Sequence, residues 1–295
     1  MNVAVDRELS VVVPVGKLYG DISSLESWIP SYPTVQIVLV LDQIDSKTRT
    51  AIDDSTLLQN APLVEKYSVD FGNPGQTRNF GFEKTNSPWV LFSDSDDIPN
   101  ISNVLNAIKS HNDMNTNIIV GNYEVYDVNK NRTKRIEGGS LDKVLNDLPR
   151  GLGLWRFIFR RDYLKLKIAR FPHLSMAEDQ VFFLSLNVIP AEISFANRIF
   201  YRYFIGNQFQ LTNSSYRIQD LQSAIKLSIN VLSKTSSKVD FDFLAAQIFS
   251  LLLNGAKKYL IPNSIFTLRV SALIVTKFGF SKFLRICTYP FRRFQ

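Results

Sequence analysis

The chain has 295 residues, 45% of them hydrophobic and 21% charged, and a net charge of +7. This is the composition of a globular protein with room for one large or two small cores, and it excludes a disordered or fibrous chain. A single cysteine, Cys287, excludes an intrachain disulfide framework and fits a reducing compartment.

Met1 to Arg7 is polar, so no secretory leader is expected ahead of the first apolar run. That run, Leu9 to Val15, is rich in valine and predicts a buried strand. Val35 to Asp42 predicts a second strand, ending in an acid, and Leu63 to Val69 a weaker third. Helix-like segments fall between them, over Ile22 to Ile29, Ser46 to Gln59 and Gln76 to Thr85. Trp89 to Phe92 predicts another buried strand. Ile118 to Val120, Tyr123 to Val128 and Arg198 to Ile205 follow as later strands, and Gln180 to Leu186 as a helix. Strands alternating with helices imply an α/β fold, a mostly parallel central sheet flanked by helices.

Beyond Tyr216 the pattern is helical only. Ile218, Leu221, Ile225, Ile229 and Leu232 step by three or four residues and form one apolar face. Phe243 to Ala256 is uncharged but too short to span a bilayer, and Ile265 to Phe283 is interrupted by Arg269 and Lys277. The expected division is therefore 1–212 for the α/β domain and 213–295 for a C-terminal helical appendage.

From Phe243 to the end there is no acid, and eight Lys and Arg residues carry more charge than the whole chain's net +7. Phe278, Phe280, Phe283, Leu284, Tyr289, Phe291 and Phe294 are interleaved with them, a pattern suited to an anionic membrane surface. No zinc-finger spacing or RNA-recognition signature accompanies the charge, so nucleic acid is not an expected partner. The expected location is cytoplasmic, peripheral on the inner face of the cell membrane, with Lys277 to Gln295 making the contact.

The chemistry concentrates in Ser93-Asp94-Ser95-Asp96-Asp97, directly after a predicted buried strand. Ligands of open α/β sheets bind at the carboxyl ends of strands. On an extended backbone Asp94 and Asp96 share a face, and their oxygens suit Mn²⁺ or Mg²⁺. The competing explanation is an acidic surface turn.

Asn73-Pro-Gly-Gln-Thr-Arg-Asn-Phe-Gly81 precedes this cluster, and Met176-Ala-Glu-Asp-Gln-Val-Phe-Phe183 follows it. Together with the strand Val11 to Val15, these segments resemble the family 2 glycosyltransferases of GT-A fold, of the bacterial cell-surface polysaccharide type, over about residues 8 to 215. The resemblance implies transfer of a sugar from a nucleotide-diphosphate donor to a saccharide or lipid-linked saccharide acceptor. It implies a divalent metal at Asp96 with Asp94, and donor contacts at Pro14, Val15, Asp42, Arg78, Asn79, Asp94 and Ser95. It makes Asp179 the general base of an inverting displacement, and places Trp155 and Glu178 on the acceptor side. Tyr203 to Ser215 resembles a loop that closes over donor phosphates, and His173 is a further candidate near the diphosphate. The alternatives are a membrane-docked scaffold with a transferase fold, or a haloacid-dehalogenase-like phosphatase, whose Asp-x-Asp also follows a strand.

Overall fold

The computed structural model describes residues 7–111, 113–206, 218–232, 236–255 and 260–292. The apolar runs become strands β1 (Leu9–Val15), β2 (Gln36–Asp42), β3 (Val64–Val69) and β4 (Trp89–Phe92). They pair in parallel, in the order β3-β2-β1-β4. Continuous apolar runs are what a strand covered on both faces requires. β5 (Ile98–Pro99), β6 (Ile118–Asp127), β7 (Arg132–Ile136), β8 (Phe157–Arg160) and β9 (Ile193–Ile205) complete a nine-stranded sheet. β8 runs antiparallel between β4 and β6, β9 lies parallel to β6, and β7 pairs with β6 alone. The two strands expected over 118–128 are one strand, irregular between Gly121 and Tyr123.

By compactness the chain forms two units. The first comprises Met1–Leu141, Gly153–Arg170 and Ile189–Ser214, and the second Asp142–Leu152, Phe171–Val188 and Ser215–Gln295.

In the first unit one sheet face packs on the helices Ser23–Trp28 and Ile101–His111 through Val11, Val13, Leu39, Leu91, Leu25, Val104 and Ile108. Helix Pro74–Lys84 crosses the other face. A Cβ on its Gly81 would drive into Val12 Cγ1 and come within 3.1 Å of Val40 Cγ2, so only glycine allows this close approach. The helix expected over 46–59 is two, because Ser55 ends Ser46–Asp54 in an extended conformation and then caps Thr56–Gln59, its Oγ accepting from Leu58 N–H.

The second unit is helical, with Ile218–Val231, Lys238–Gly255, Leu260–Phe278 and Phe280–Arg292. Leu221, Ile225, Ile229 and Leu232 are buried, as their spacing predicts. Gly279, at φ +90°, breaks the expected 265–283 helix and opens the last one. Among the described residues no helix is long and apolar enough to cross a membrane. Several residues expected to face a membrane are instead used inside this unit. Arg285 pairs with Asp242, Lys282 lies 4.6 Å from the Phe241 ring centroid, Lys277 Nζ donates to the Ile229 carbonyl, and Phe278 and Tyr289 are buried. Phe280 and Leu284 are exposed. Lys257, Lys258 and Arg293 lie outside the described residues.

Candidate active site

The acidic segment is a turn at the carboxyl end of β4, held from three sides. Ser93 N–H donates to the Val12 carbonyl of β1, and Ser24 Oγ donates to the Asp96 carbonyl at 3.1 Å. From β9, Phe204 N–H donates to Asp97 Oδ1 at 2.8 Å, and the Tyr201 hydroxyl accepts from Asp94 N–H at 2.9 Å. Asp97 is thus a strut that ties the turn to β9, and Ser95 is buried within the turn. Tyr201 is fully buried, and the sequence offered no sign of its role: it lies 107 residues from Asp94.

Arg78, on the helix that Gly81 brings onto the sheet, is largely buried and meets Asp94 Oδ1 through Nη2 at 2.8 Å. The motif Arg78-Asn79-Phe80-Gly81 therefore has a mechanical reading. The glycine sets the helix height and the arginine, one turn earlier, delivers a cation to the acidic turn. Asn79 is half-buried on the same helix.

Asp42, at the end of β2, is engaged by the segment that follows β3. Its Oδ1 accepts from Phe71 and Gly72 N–H at 2.8 and 3.0 Å, and its Oδ2 accepts from Asn73 N–H and Thr77 Oγ1 at 3.2 and 2.7 Å. Four donors fill the roughly four acceptor positions of a carboxylate. Asp42 thus orders the loop that feeds helix Pro74–Lys84. Val15 is buried in the core and Pro14 is half-buried beside it at the end of β1.

The turn is crowded with negative charge. Burial, and then the charge of Asp94, push the Asp96 carboxyl up to about 6. Burial, then Asp94 and Asp96, push Asp97 up to about 9. Such shifts are the response of neighbouring carboxylates that share a poorly hydrated site, where burial and like charge both disfavour ionisation. Among the described residues no three His, Cys, Asp or Glu side chains converge on one point. A hard dication takes one or two carboxylates and completes its shell with water and substrate phosphates. The oxygen donors of Asp94 and Asp96 suit Mn²⁺ or Mg²⁺ by that measure.

Trp155 is half-buried next to this turn. Its ring stacks on Tyr201 at 4.4 Å and 12°, and on Tyr203 at 5.5 Å and 20°, and takes Tyr123 edge-on at 4.8 Å. The expected loop from Tyr203 onward is described to Gly206; its remainder lies outside the described residues.

Glu178 and Asp179 belong to the second unit, where they occupy the first turn of helix Glu178–Ser185. Asp179 Oδ1 accepts from Gln180 N–H at 2.8 Å, and Ala177 ahead of them takes φ +62°. Acids favour a helix amino terminus on dipole grounds alone, and this pair satisfies that preference. His173 is exposed in the same unit.

The family pattern described as Glycosyl transferase family 2 matches residues 22–177, more than half of the chain. The chain belongs to glycosyl transferase family 2. The matched span contains Asp42, Arg78 to Gly81, Asp94 to Asp97 and Trp155. Pro14, Val15, Glu178 and Asp179 lie outside it. Family membership removes the phosphatase alternative.

Solved structures agree on the fold. Residues 1–349 of S. aureus TarS in complex with UDP-GlcNAc match with a TM-score of 0.64 and 19% identity, over 98% of this chain and 92% of that one. The mannosyltransferase PcManGT from Pyrobaculum calidifontis, in complex with GDP-Man and Mn²⁺, matches with a TM-score of 0.57 and 12% identity, over 97% and 87%. The GT-A architecture with C-terminal helices is therefore that of glycosyltransferases. No protein with a curated description matches the sequence.

Proposed function

We propose that this family 2 chain is a metal-dependent, inverting transferase that moves a sugar from a nucleotide-diphosphate sugar to a saccharide or lipid-linked saccharide acceptor in surface glycan synthesis. The observation that carries the reading is the Asp94–Asp97 turn at the carboxyl end of β4, with Arg78 at 2.8 Å from Asp94. The solved relatives hold UDP-GlcNAc and GDP-Man with Mn²⁺, which is the donor chemistry proposed for this chain.

In this reading the end of β1 at Pro14 and Val15, with Arg78 and Asn79, receives the nucleotide. Asp42 acts by holding the loop from Phe71 to Asn73 in place. Asp94 and Asp96 would hold Mn²⁺ or Mg²⁺, which supplies Lewis-acid neutralisation of the leaving diphosphate when bound. The acceptor hydroxyl attacks the anomeric carbon, the bond from that carbon to the phosphate oxygen breaks, and its electron pair leaves with the nucleoside diphosphate. The hydroxyl proton passes to the Asp179 carboxylate, a role that rests on the Glu178–Asp179 motif. Peripheral docking on an anionic membrane is part of the same proposal. It rests on Phe280 and Leu284, which are exposed apolar residues of the last helix among the described residues.

The deciding experiment is a calorimetric titration of UDP and GDP, with and without Mn²⁺, into wild type and Asp96→Ala. Metal-dependent affinity present in the wild type and lost in the variant supports the reading. Equal metal-dependent affinity in both removes the metal assignment. A wild type that binds no nucleotide with Mn²⁺ favours the scaffold.

A further inference from the structure

The register of three strands carries one sheet face away from the acidic turn. Tyr201, Tyr123 and Ile136 stand in one row across β9, β6 and β7; Tyr203, Val125 and Lys134 in the next; Ile205, Asp127 and Arg132 in the third. Side chains two apart on a strand share a face. Trp155 confirms which face this is, since it contacts Tyr123, Tyr201 and Tyr203 together. Tyr201 in turn touches the acidic turn through its hydroxyl. At about 4.8 Å between strands and about 3.3 Å per residue, Lys134 stands about 12 Å from Tyr201, and Arg132 about 16 Å.

The two faces treat their cations differently. On the opposite face the buried Glu124 accepts ion pairs from Arg135 at 3.0 Å and Arg202 at 3.1 Å, so those charges are answered inside the protein. On the Trp155 face, Lys134 stands in line with Val125 and Tyr203, and no carboxylate shares its row. Arg132 stands opposite Asp127, whose carboxylate is taken by Lys130 at 3.1 Å. Lys134 and Arg132 are both exposed and have no ion-pair partner among the described residues. β7 is an edge strand, and on the Trp155 face it presents two exposed cations, Arg132 and Lys134, more than edge protection by a single lysine requires.

We propose that this face is the acceptor path, and that the acceptor is a saccharide carrying negative charge, phosphate or carboxylate, whose anionic groups meet Lys134 and Arg132. The inference rests on the transferase reading above and narrows its acceptor. The half-buried aromatic surface of Trp155, Tyr123 and Tyr203 takes the apolar faces of sugar rings near the acidic turn. The two cations then engage the acceptor's charges farther along and hold it in register. A neutral glycan would gain nothing from them.

The test uses the full chain, with an oligogalacturonate as the anionic probe and a malto-oligosaccharide of equal length as the neutral one, titrated in the presence of UDP or GDP and Mn²⁺. Wild type should prefer the anionic probe, and that preference should shrink as NaCl is raised, because exposed charges are screened. Arg132→Glu with Lys134→Glu should weaken the anionic probe at least tenfold, and the milder Lys134→Gln by a smaller factor. Both variants should keep wild-type affinity for the nucleotide. Two outcomes would overturn the proposal: equal binding of both probes by wild type, or undiminished anionic binding by the double variant. Loss of nucleotide binding by wild type would overturn the transferase reading instead, while the comparison of probes still decides the chemistry of this face.

Discussion

Asp97→Asn should make the protein more stable at neutral pH, by an amount that grows with pH. Asp97 is fully buried, and its carboxyl is pushed up to about 9 from an ordinary value of 3.8. The folded state therefore holds one proton more than the unfolded state between those two values. Stability falls as pH rises whenever the folded state binds the extra proton, here by about 1.4 kcal/mol per pH unit. At pH 7 the accumulated cost is about 4 kcal/mol, most of which a neutral amide avoids. Asparagine keeps an oxygen to accept from Phe204 N–H, so the strut to β9 survives. Urea unfolding of both proteins from pH 5 to pH 8, with a chelator present, would measure the effect. Asp96 titrates in both proteins, so the difference between the two curves reports Asp97. Parallel curves, with no growth of the difference as pH rises, would refute the claim that Asp97 is buried as a neutral acid.

Gly81→Ala should destabilise the first unit by about 1–3 kcal/mol, since its Cβ has no room between Val12 and Val40; at about 2–4 °C per kcal/mol, a thermal melt that rose instead would sink the close-approach argument. Asp179→Asn should leave nucleotide affinity intact and lower turnover about 10²-fold or more, and near-wild-type transfer would deny it the role of base. Phe280→Glu with Leu284→Glu should release the protein from anionic vesicles in a sedimentation assay, whereas equal sedimentation would exclude docking by the last helix. Those point changes are preferable to deleting the helix, because it also carries the buried Ile286 and Tyr289.

The sequence by itself determined the parallel half of the sheet. Leu9–Val15, Gln36–Asp42 and Trp89–Phe92 are apolar runs that only a doubly covered strand can use, so local pattern and tertiary environment agree. It also determined the acidic turn and the helix carrying Arg78, because the carboxylates, the arginine and the glycine are close in the chain and their spacing is itself the signal. Polar β7 and four-residue β8 carried no such signal; β7 is a strand through its pairing with β6, and β8 through its pairing with both β4 and β6. Tertiary structure alone decided what each carboxylate does. Asp42 and Asp94 both end a strand run, yet Asp42 accepts four bonds from one loop and helix start, while Asp94 faces Arg78. Burial pushes the Asp97 carboxyl up, and it is bonded to a strand more than a hundred residues away, with Tyr201 completing that contact from the same strand. Burial and partners at long sequence separation set these roles, and neither is written in local spacing.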